Sequence, residues 1–427
     1  MFQLTNVLIL ISLYSFNSQA IADGFDNSYF PFQIFTGSSR IETSLTLTDA
    51  TVKPKLQAET VTLNTGTKVP TQAITTNDMY NNRYSPVFGL HYKCNDNLYL
   101  NIQYDEPFAT DTSYEDDSVG PGFPLRSKIE TSMISLGFTQ VINRANQLYS
   151  LISGIQILRG DAIFSADGYA GLSCLANSSN TCNDNIVTSL DIGNNLGYFF
   201  GFAYEIPKIA LKLQLMYYPE IDAIGKGTLS VGNDFFSPFN ITVSAPITAD
   251  VVSDNLAVSP NRIHLYLQTG LNEKTLGFIG YSSVNWKALP TLNTNYTNIN
   301  TTDTNLKALF QTAGSINLFE DDAIYWYVGA GYQVNTQLAL SFTAFIDTIR
   351  DSPVDDFRSP GRGTHSYYLG TNFDLDEKNT VSGRLGYIYA PSTEIIYPVS
   401  ATLGTGEYKA TVDPDVFNFH IGYTRKL

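Results

Sequence analysis

The side chains best suited by type to nucleophilic or acid–base chemistry are four histidines, His91, His264, His365 and His420, and three cysteines, Cys94, Cys174 and Cys182. In "RIHLYLQ", alternation puts His264 on one face with Tyr266 and Gln268, where an imidazole could relay a proton from a serine. No G-x-S-x-G motif and no metal-binding His pair accompanies it. An inward histidine that serves only as a polar lining residue accounts for the same pattern. No catalytic residue, cofactor or metal ligand is therefore assigned, although a barrel lipase stays among the alternatives. Cys174 and Cys182 bound "CLANSSNTC", a turn-rich stretch that a disulfide could close in an oxidising compartment. Spacing alone does not choose between a bridge and two thiols. Cys94, in "KCNDN", reads as a turn residue.

A second kind of chemistry is the capture of apolar matter. Ile163, Phe164, Tyr169 and Leu172 fall in one long connection, Arg159 to Asn195, and Phe235, Phe236 and Phe239 fall in another, Tyr218 to Asn261. Exposed, "NDFFSPFNITV" would be an unfavourable patch, so it either covers a hydrophobic ligand or packs on itself. Arg159 and Lys226 flank these stretches and could attract a carboxylate, or be ordinary solvated charges. A third feature is "LYLNIQYDEPFATD". Leu98 to Asp105 alternate as a strand should, then Glu106, Pro107 and Phe108 interrupt it. Proline has no N–H for a ladder. It either parts the strand from a neighbour or ends it at a rim.

These residues need a scaffold, and the alternation supplies one. Six pairs of apolar–polar segments are joined by short turns: Ser85–Lys93 with Leu98–Asp105, Ser132–Val141 with Leu148–Leu158, and Leu196–Ile206 with Ile209–Tyr217. Arg262–Leu271 with Thr275–Val284, Ile324–Val334 with Leu338–Ile346, and Tyr367–Leu375 with Thr380–Tyr389 complete them. A strand near Tyr29–Thr36 and the terminal "VFNFHIGYTRKL" raise the count to fourteen. Short links all fall on one side and long ones on the other. That asymmetry, with segments near the ~9–11 residues that cross a bilayer at a tilt, reads as an all-β, 14-stranded antiparallel transmembrane β-barrel with short periplasmic turns and long extracellular loops. On this reading Leu196, Tyr198, Phe200 and Phe202 face lipid, as do Leu338, Leu340 and Phe342. A soluble β-sandwich is the competing fold.

Composition agrees with a barrel. Charged residues are 15 % of the chain and aromatics 13 %, 27 Tyr and 26 Phe among them. A net charge of -15 leaves no basic surface for a nucleic acid. Residues 1–22, uncharged and apolar from Val7 to Leu13, read as a signal peptide with small residues at Ser18, Ala20 and Ala22 for cleavage, leaving 23–427 as the barrel with a short N-terminal periplasmic or luminal segment.

From Tyr84 to the C-terminus the chain resembles the FadL/TodX family of outer-membrane channels for long-chain fatty acids and hydrocarbons. The resemblance rests on "FGLHYKCNDNLYLNIQYDEPFATD", on "YEIP", "YYPEID" and "GTL" in that order, and on "DSPV" at Asp351 with Arg358 and Pro360 beyond. It implies a bacterial outer-membrane location, a monomer, and uptake of a long-chain fatty acid or similar hydrophobic molecule, with outer-membrane lipid around the wall. It further implies that the Phe-rich loops form an outer groove, and that Pro107 stands at a kink in the third strand that opens the wall sideways. Three departures stand out: no Asn-Pro-Ala plug motif, "GRGTHSYY" after Pro360 where a basic ligand was expected, and a C-terminal Leu427 where an aromatic residue is common. The alternative function is a surface adhesin or structural barrel.

Overall fold

The structure is a computed structural model. It describes residues 37–427 except 58, 64–67, 71–74, 76, 108, 114–123, 167–185, 234–243, 286–291, 305–306, 308–314, 317–322, 348–363, 390, 399–403 and 406. The chain forms one closed barrel of fourteen antiparallel passes. They are β1 (Arg40–Thr51), β2 (Arg83–Asn95), β3 (Leu98–Asp105, resuming as Ala109–Ser113), β4 (Pro124–Arg144) and β5 (Gln147–Ala166). Next come β6 (Ile186–Asp191 and Asn195–Ile206), β7 (Leu211–Tyr218 and Ile221–Val231), β8 (Ile247–Ser259 and Arg262–Gly270) and β9 (Thr275–Val284). β10 (Ala323–Gln333), β11 (Leu338–Asp347), β12 (His365–Asp374), β13 (Asn379–Tyr389) and β14 (Asp415–Lys426) finish the wall. Closure is made by β14 lying between β13 and β1, from Arg40 opposite Lys426 to Thr51 opposite Asp415. Closure removes every free edge, which is what lets strands cross lipid.

All six hairpins stand where alternation put them. The first strand does not. Tyr29–Thr36 lies outside the described residues, and the pass that closes the barrel is Arg40–Thr51, inside the stretch assigned to the first long loop. Its sequence "RIETSLTLTDAT" puts Ile41, Leu45 and Leu47 on one face but also Thr43, Asp49 and Thr51, so its alternation signal is short and weak. The first described pass of the wall thus begins at Arg40.

Four of the six short turns are held by one asparagine or aspartate side chain folding back on the main chain. Asn95 accepts from the N–H of Asn97 (2.8 Å), Asn272 from that of Lys274 (2.9 Å), and Asn335 from those of Gln337 and Leu338 (both 2.8 Å). Asp376 accepts from the N–H of Lys378 (2.8 Å) and of Asn379 (2.9 Å). In the other two, Ala145 and Asn146 take positive φ in a two-residue turn, and a 3-10 turn at Pro207–Ile209 ends at Ala210 with φ 53°.

The outer surface is apolar where a membrane would meet it: Leu196 is 70 % exposed, and Ile421, Leu369 and Phe342 are similarly bare. Tyr332, Phe373 and Tyr423 near the turns, and Tyr84, Trp326 and Tyr389 towards the other rim, form two aromatic girdles. Inward positions hold the polar and aromatic partners, as the face assignments for Leu196–Ile206 and Leu338–Ile346 required. β4 and β5 are long, 21 and 20 residues, and stand above the membrane band with the first segments of β6 and β8 and the second segment of β7. What reads as irregular loop between Arg159 and Asn195 is thus partly wall.

Candidate functional site

Two features converge on the lumen: a belt of buried rings, and a place where the wall comes apart. The belt runs over seven neighbouring strands, through Phe199 on β6, Tyr218 on β7, Tyr266 on β8, Phe278 on β9, Tyr327 on β10, Phe345 on β11 and Tyr368 on β12, with Ile152 on β5 packed into the same cluster. Ring centroids lie 5.6 Å apart for Phe199 and Tyr218, 5.1 Å for Tyr327 and Phe345, and 5.3 Å for Phe345 and Tyr368. Glycines make room for it. A Cβ on Gly280 would overlap the Tyr327 ring, and one on Gly386 would overlap Tyr368, so each ring lies flat over a neighbouring strand that carries no side chain.

Polar groups are set into this apolar lining. Arg262, 1 % exposed, places its guanidinium 4.9 Å from the centre of the Tyr218 ring, a cation–π distance. His264 meets the same ring edge-on at 5.6 Å, and Arg262 is near enough to Asp105 to act on its charge. A cation held on an aromatic face can pair with the anionic end of an amphipathic molecule while neighbouring rings take its tail. His264, Tyr266 and Gln268 do share the inner face, and the Tyr266 hydroxyl donates to Gln268 Oε1 at 2.7 Å.

The wall comes apart between β2 and β3. Their ladder runs from Asn95 opposite Leu98 up to Phe88 opposite Tyr104 and then stops. It is next met as a single bridge, Tyr80 opposite Thr112, in unchanged register. Between these points, residues 81–87 of one strand face 105–111 of the other with no ladder pair among the described residues. Pro107 sits at the centre of that interval on β3, buried, and Pro86 sits exposed on β2 one step from being opposite it. On the other flank β3 stays with β4 but slips by one residue, from Asp105 opposite Met133 to Ala109 opposite Glu130. That extra residue is a β-bulge, which bends the strand. Above it the Arg126 guanidinium clamps Asp111 with two bonds of 3.2 Å.

Pro107 therefore does not end the strand: β3 resumes at Ala109. Glu106 lies in the break, its side chain accepting from the Tyr104 hydroxyl at 3.2 Å, whereas Phe108 is outside the described residues. Of the expected capture residues, Ile163 and Phe164 lie on β5 and not in a loop, Phe164 turned inward and Ile163 half-exposed. They belong to strand because β5 is prolonged by pairing with Ile186–Asp191. Tyr169, Leu172, Phe235, Phe236, Phe239, Cys174 and Cys182 fall outside the described residues. Two residues were missed in sequence. Pro86, in "YSPVFGL", breaks an alternating run just as Pro107 does. Arg262, at the head of "RIHLYLQ", is a charge in phase with the inner face.

Comparison with known proteins places this geometry. The family model "Outer membrane protein transport protein (OMPP1/FadL/TodX)" matches residues 20–426. No curated protein sequence matches the chain. Among solved structures, it is similar to a Pseudomonas aeruginosa FadL homologue at 16 % identity and TM-score 0.73, covering 92 % of this chain and 91 % of that one. It is also similar to the P. putida toluene transporter TodX (11 %, TM-score 0.56, 92 % and 91 % covered) and to the Ralstonia pickettii toluene transporter TbuX (10 %, 0.57, 92 % and 90 %). At these identities the structures attest the fold, while the family match spans nearly the whole sequence. The chain belongs to the OMPP1/FadL/TodX family of outer-membrane transport proteins for hydrophobic compounds.

Proposed function

We propose that this barrel takes up long-chain fatty acids or molecules of similar shape. The upper end of β5 and the connections that follow β5 and β7 capture the apolar part, with Ile163 and Phe164 on β5 and Tyr169, Leu172, Phe235, Phe236 and Phe239 beyond the strands as contacts. The ligand then enters the aromatic lumen and leaves sideways between β2 and β3 into the outer leaflet. The protein acts as a monomer, exported with residues 1–22 as its leader. The observation that carries this reading is the ladder left open around Pro107 and Pro86 in a wall whose other function is to be closed. A hydrophobic ligand gains nothing by crossing water, so a path from apolar chamber to lipid suits it. Arg262, stacked on Tyr218, favours a ligand with an acidic head over a bare hydrocarbon.

The test is uptake of labelled long-chain fatty acid and of labelled toluene by a strain lacking its own channels and expressing this one. Fatty-acid uptake above the empty strain is expected; toluene alone would replace the substrate, and neither would overturn the function. Phe235, Phe236 and Phe239 changed together to Ser should weaken fatty-acid binding, since each buried CH₂ contributes about 0.8 kcal/mol. Heat-resistant migration of the folded barrel should persist, and unchanged binding would remove these residues from the path.

A further inference from the structure

The wall parts a second time, between β6 and β7. Their ladder holds from Ile206 opposite Leu211 to Phe200 opposite Tyr217, and again from Asp191 opposite Lys226 to Ile186 opposite Val231. Between them, residues 192–199 and 218–225 face each other without a ladder pair. Each strand carries one extra residue in the interval. On β6 the buried positions change from Leu190 and Ile192 to Gly197 and Phe199; on β7 they change from Met216 and Tyr218 to Ile221 and Ala223. The β6 irregularity contains Gly193 with φ 64°, and the β7 one contains Pro219, which has no N–H to give.

Height and surroundings suggest what the interval is for. Phe199 is eight residues from the turn at Pro207, and Asp105 is eight residues from the turn at Asn97. Both breaks thus begin at one level, on the order of 20 Å up a tilted strand, near the upper edge of the hydrocarbon. Leu196 and Tyr198 face outward in its lower half, 70 % and 51 % exposed, the exposed Asp222 stands just above Leu196 on the facing strand, and the exposed Asp191 and Lys226 bound its upper end. Freed main-chain groups are tolerated in such a place, because water and side chains reach them. Asp191 takes the N–H of Gly193 at 2.7 Å, and the Asn195 amide donates to the carbonyl of Ile192 at 2.8 Å. Behind the interval lie Phe199, Tyr218 and, on the Tyr218 ring, Arg262. Within the gap Ile221 lies directly over Gly197, where an added Cβ would overlap it.

We infer that this interval is a second lateral portal, latched by Ile221 over Gly197, that passes an alkyl chain or aryl ring between the lumen and the outer leaflet. The transport role rests on the proposed function above. Swinging Ile221 aside breaks no ladder bond, so the latch yields at less cost than any intact stretch of wall.

Two measurements test it. The first places a benzophenone side chain at Ile221, with Leu196 and Tyr266 as lipid-facing and lumenal references, in barrels reconstituted into phospholipid vesicles with and without oleate. Because Ile221 points inward, phospholipid adducts approaching the yield at Leu196 are expected only if the seam opens. A yield no higher than at Tyr266 would overturn the portal, and the mass of the adduct separates phospholipid from oleate. The second uses Gly197→Cys with Ile221→Cys in a background with Cys94, Cys174 and Cys182 changed to Ser. Oxidation should reduce oleate uptake at least twofold and reduction should restore it, on the same folded molecules; equal uptake would overturn the transport role. If the parent itself takes up no oleate, the proposed function fails instead, and the adduct yield alone decides whether the seam opens.

Discussion

The Arg83 guanidinium donates to the main-chain carbonyl of Glu106 at 3.2 Å, across the gap where β2 and β3 have let go of each other. A ladder would have paired that carbonyl with an N–H; a long side chain has taken the duty instead. The seam is therefore tied by a movable group. Arg83→Ala should loosen it, raising uptake per folded barrel and costing about 1 kcal/mol of stability at this partly exposed site. Comparing urea midpoints with initial uptake rates checks both halves. Lower uptake at unchanged stability would mean that Arg83 guides the ligand rather than closing the seam.

Pro107→Val supplies a donor and good strand propensity at the centre of the interval. With Pro86 still beside it on the facing strand, opposite Glu106, the repair is partial. The expected order of uptake per folded barrel is parent, then Pro107→Val, then the variant with Pro86→Val added. Surface binding of the ligand should be the same in all three. Equal uptake would remove the lateral-exit role from this seam and leave both prolines as purely structural features.

Gly280→Ala should disturb the ring belt without touching the seam. The new methyl overlaps Tyr327, which is 3 % exposed and hemmed in by Phe345, so the ring must shift at a cost of about 1–3 kcal/mol. Unfolding in lipid vesicles measures this. Adding Tyr327→Leu should recover part of the loss, and failure to recover any would place the strain elsewhere.

The Asp376 turn makes a prediction about pH. The Asn379 side-chain amide, and then the Lys378 N–H, hold this carboxyl below the usual carboxylate range. A lowered folded pKa contributes stability that is present above the ordinary carboxylate value and lost as pH falls through the folded one. Asp376→Asn should therefore weaken protection of the turn at neutral pH. The difference between variant and parent should vanish in strong acid, as read by proteolysis near residues 375–379 with an acid-active and a neutral protease.

How far the sequence alone reached depended on which physical signal each part carries. Hairpins such as Leu196–Ile206 with Ile209–Tyr217 were legible because lipid on one side and lumen on the other impose a strict period of two. β1 was not, because "RIETSLTLTDAT" puts polar residues towards both sides and is placed by its neighbours β14 and β2. The upper wall at Ile163 and Phe164 was missed for a related reason: above the membrane no apolar face is demanded, and pairing with Ile186–Asp191 makes the strand. Pro107 announced the first seam, but the second needed both strands to be seen together. Neither Gly193 nor Pro219 shows from its own neighbours that the other lies across from it.

The two irregularities of β6 and β7 also bear on how such a wall can change over evolutionary time. A single inserted residue in one strand would turn every side chain beyond it from lumen to lipid, and it would alter the shear that fixes a barrel's diameter. Here the insertions come as a matched pair, so Asp191 and Lys226 meet in the register that Phe200 and Tyr217 left. The seam itself thus keeps its register, and the change is taken up on its outer flanks: β6 slips by one residue against β5 between Asp191 opposite Asp161 and Asn195 opposite Leu158, and β7 shifts against β8 after Ile221 and again after Ala223. An opening of this kind comes with adjustments in the two neighbouring ladders.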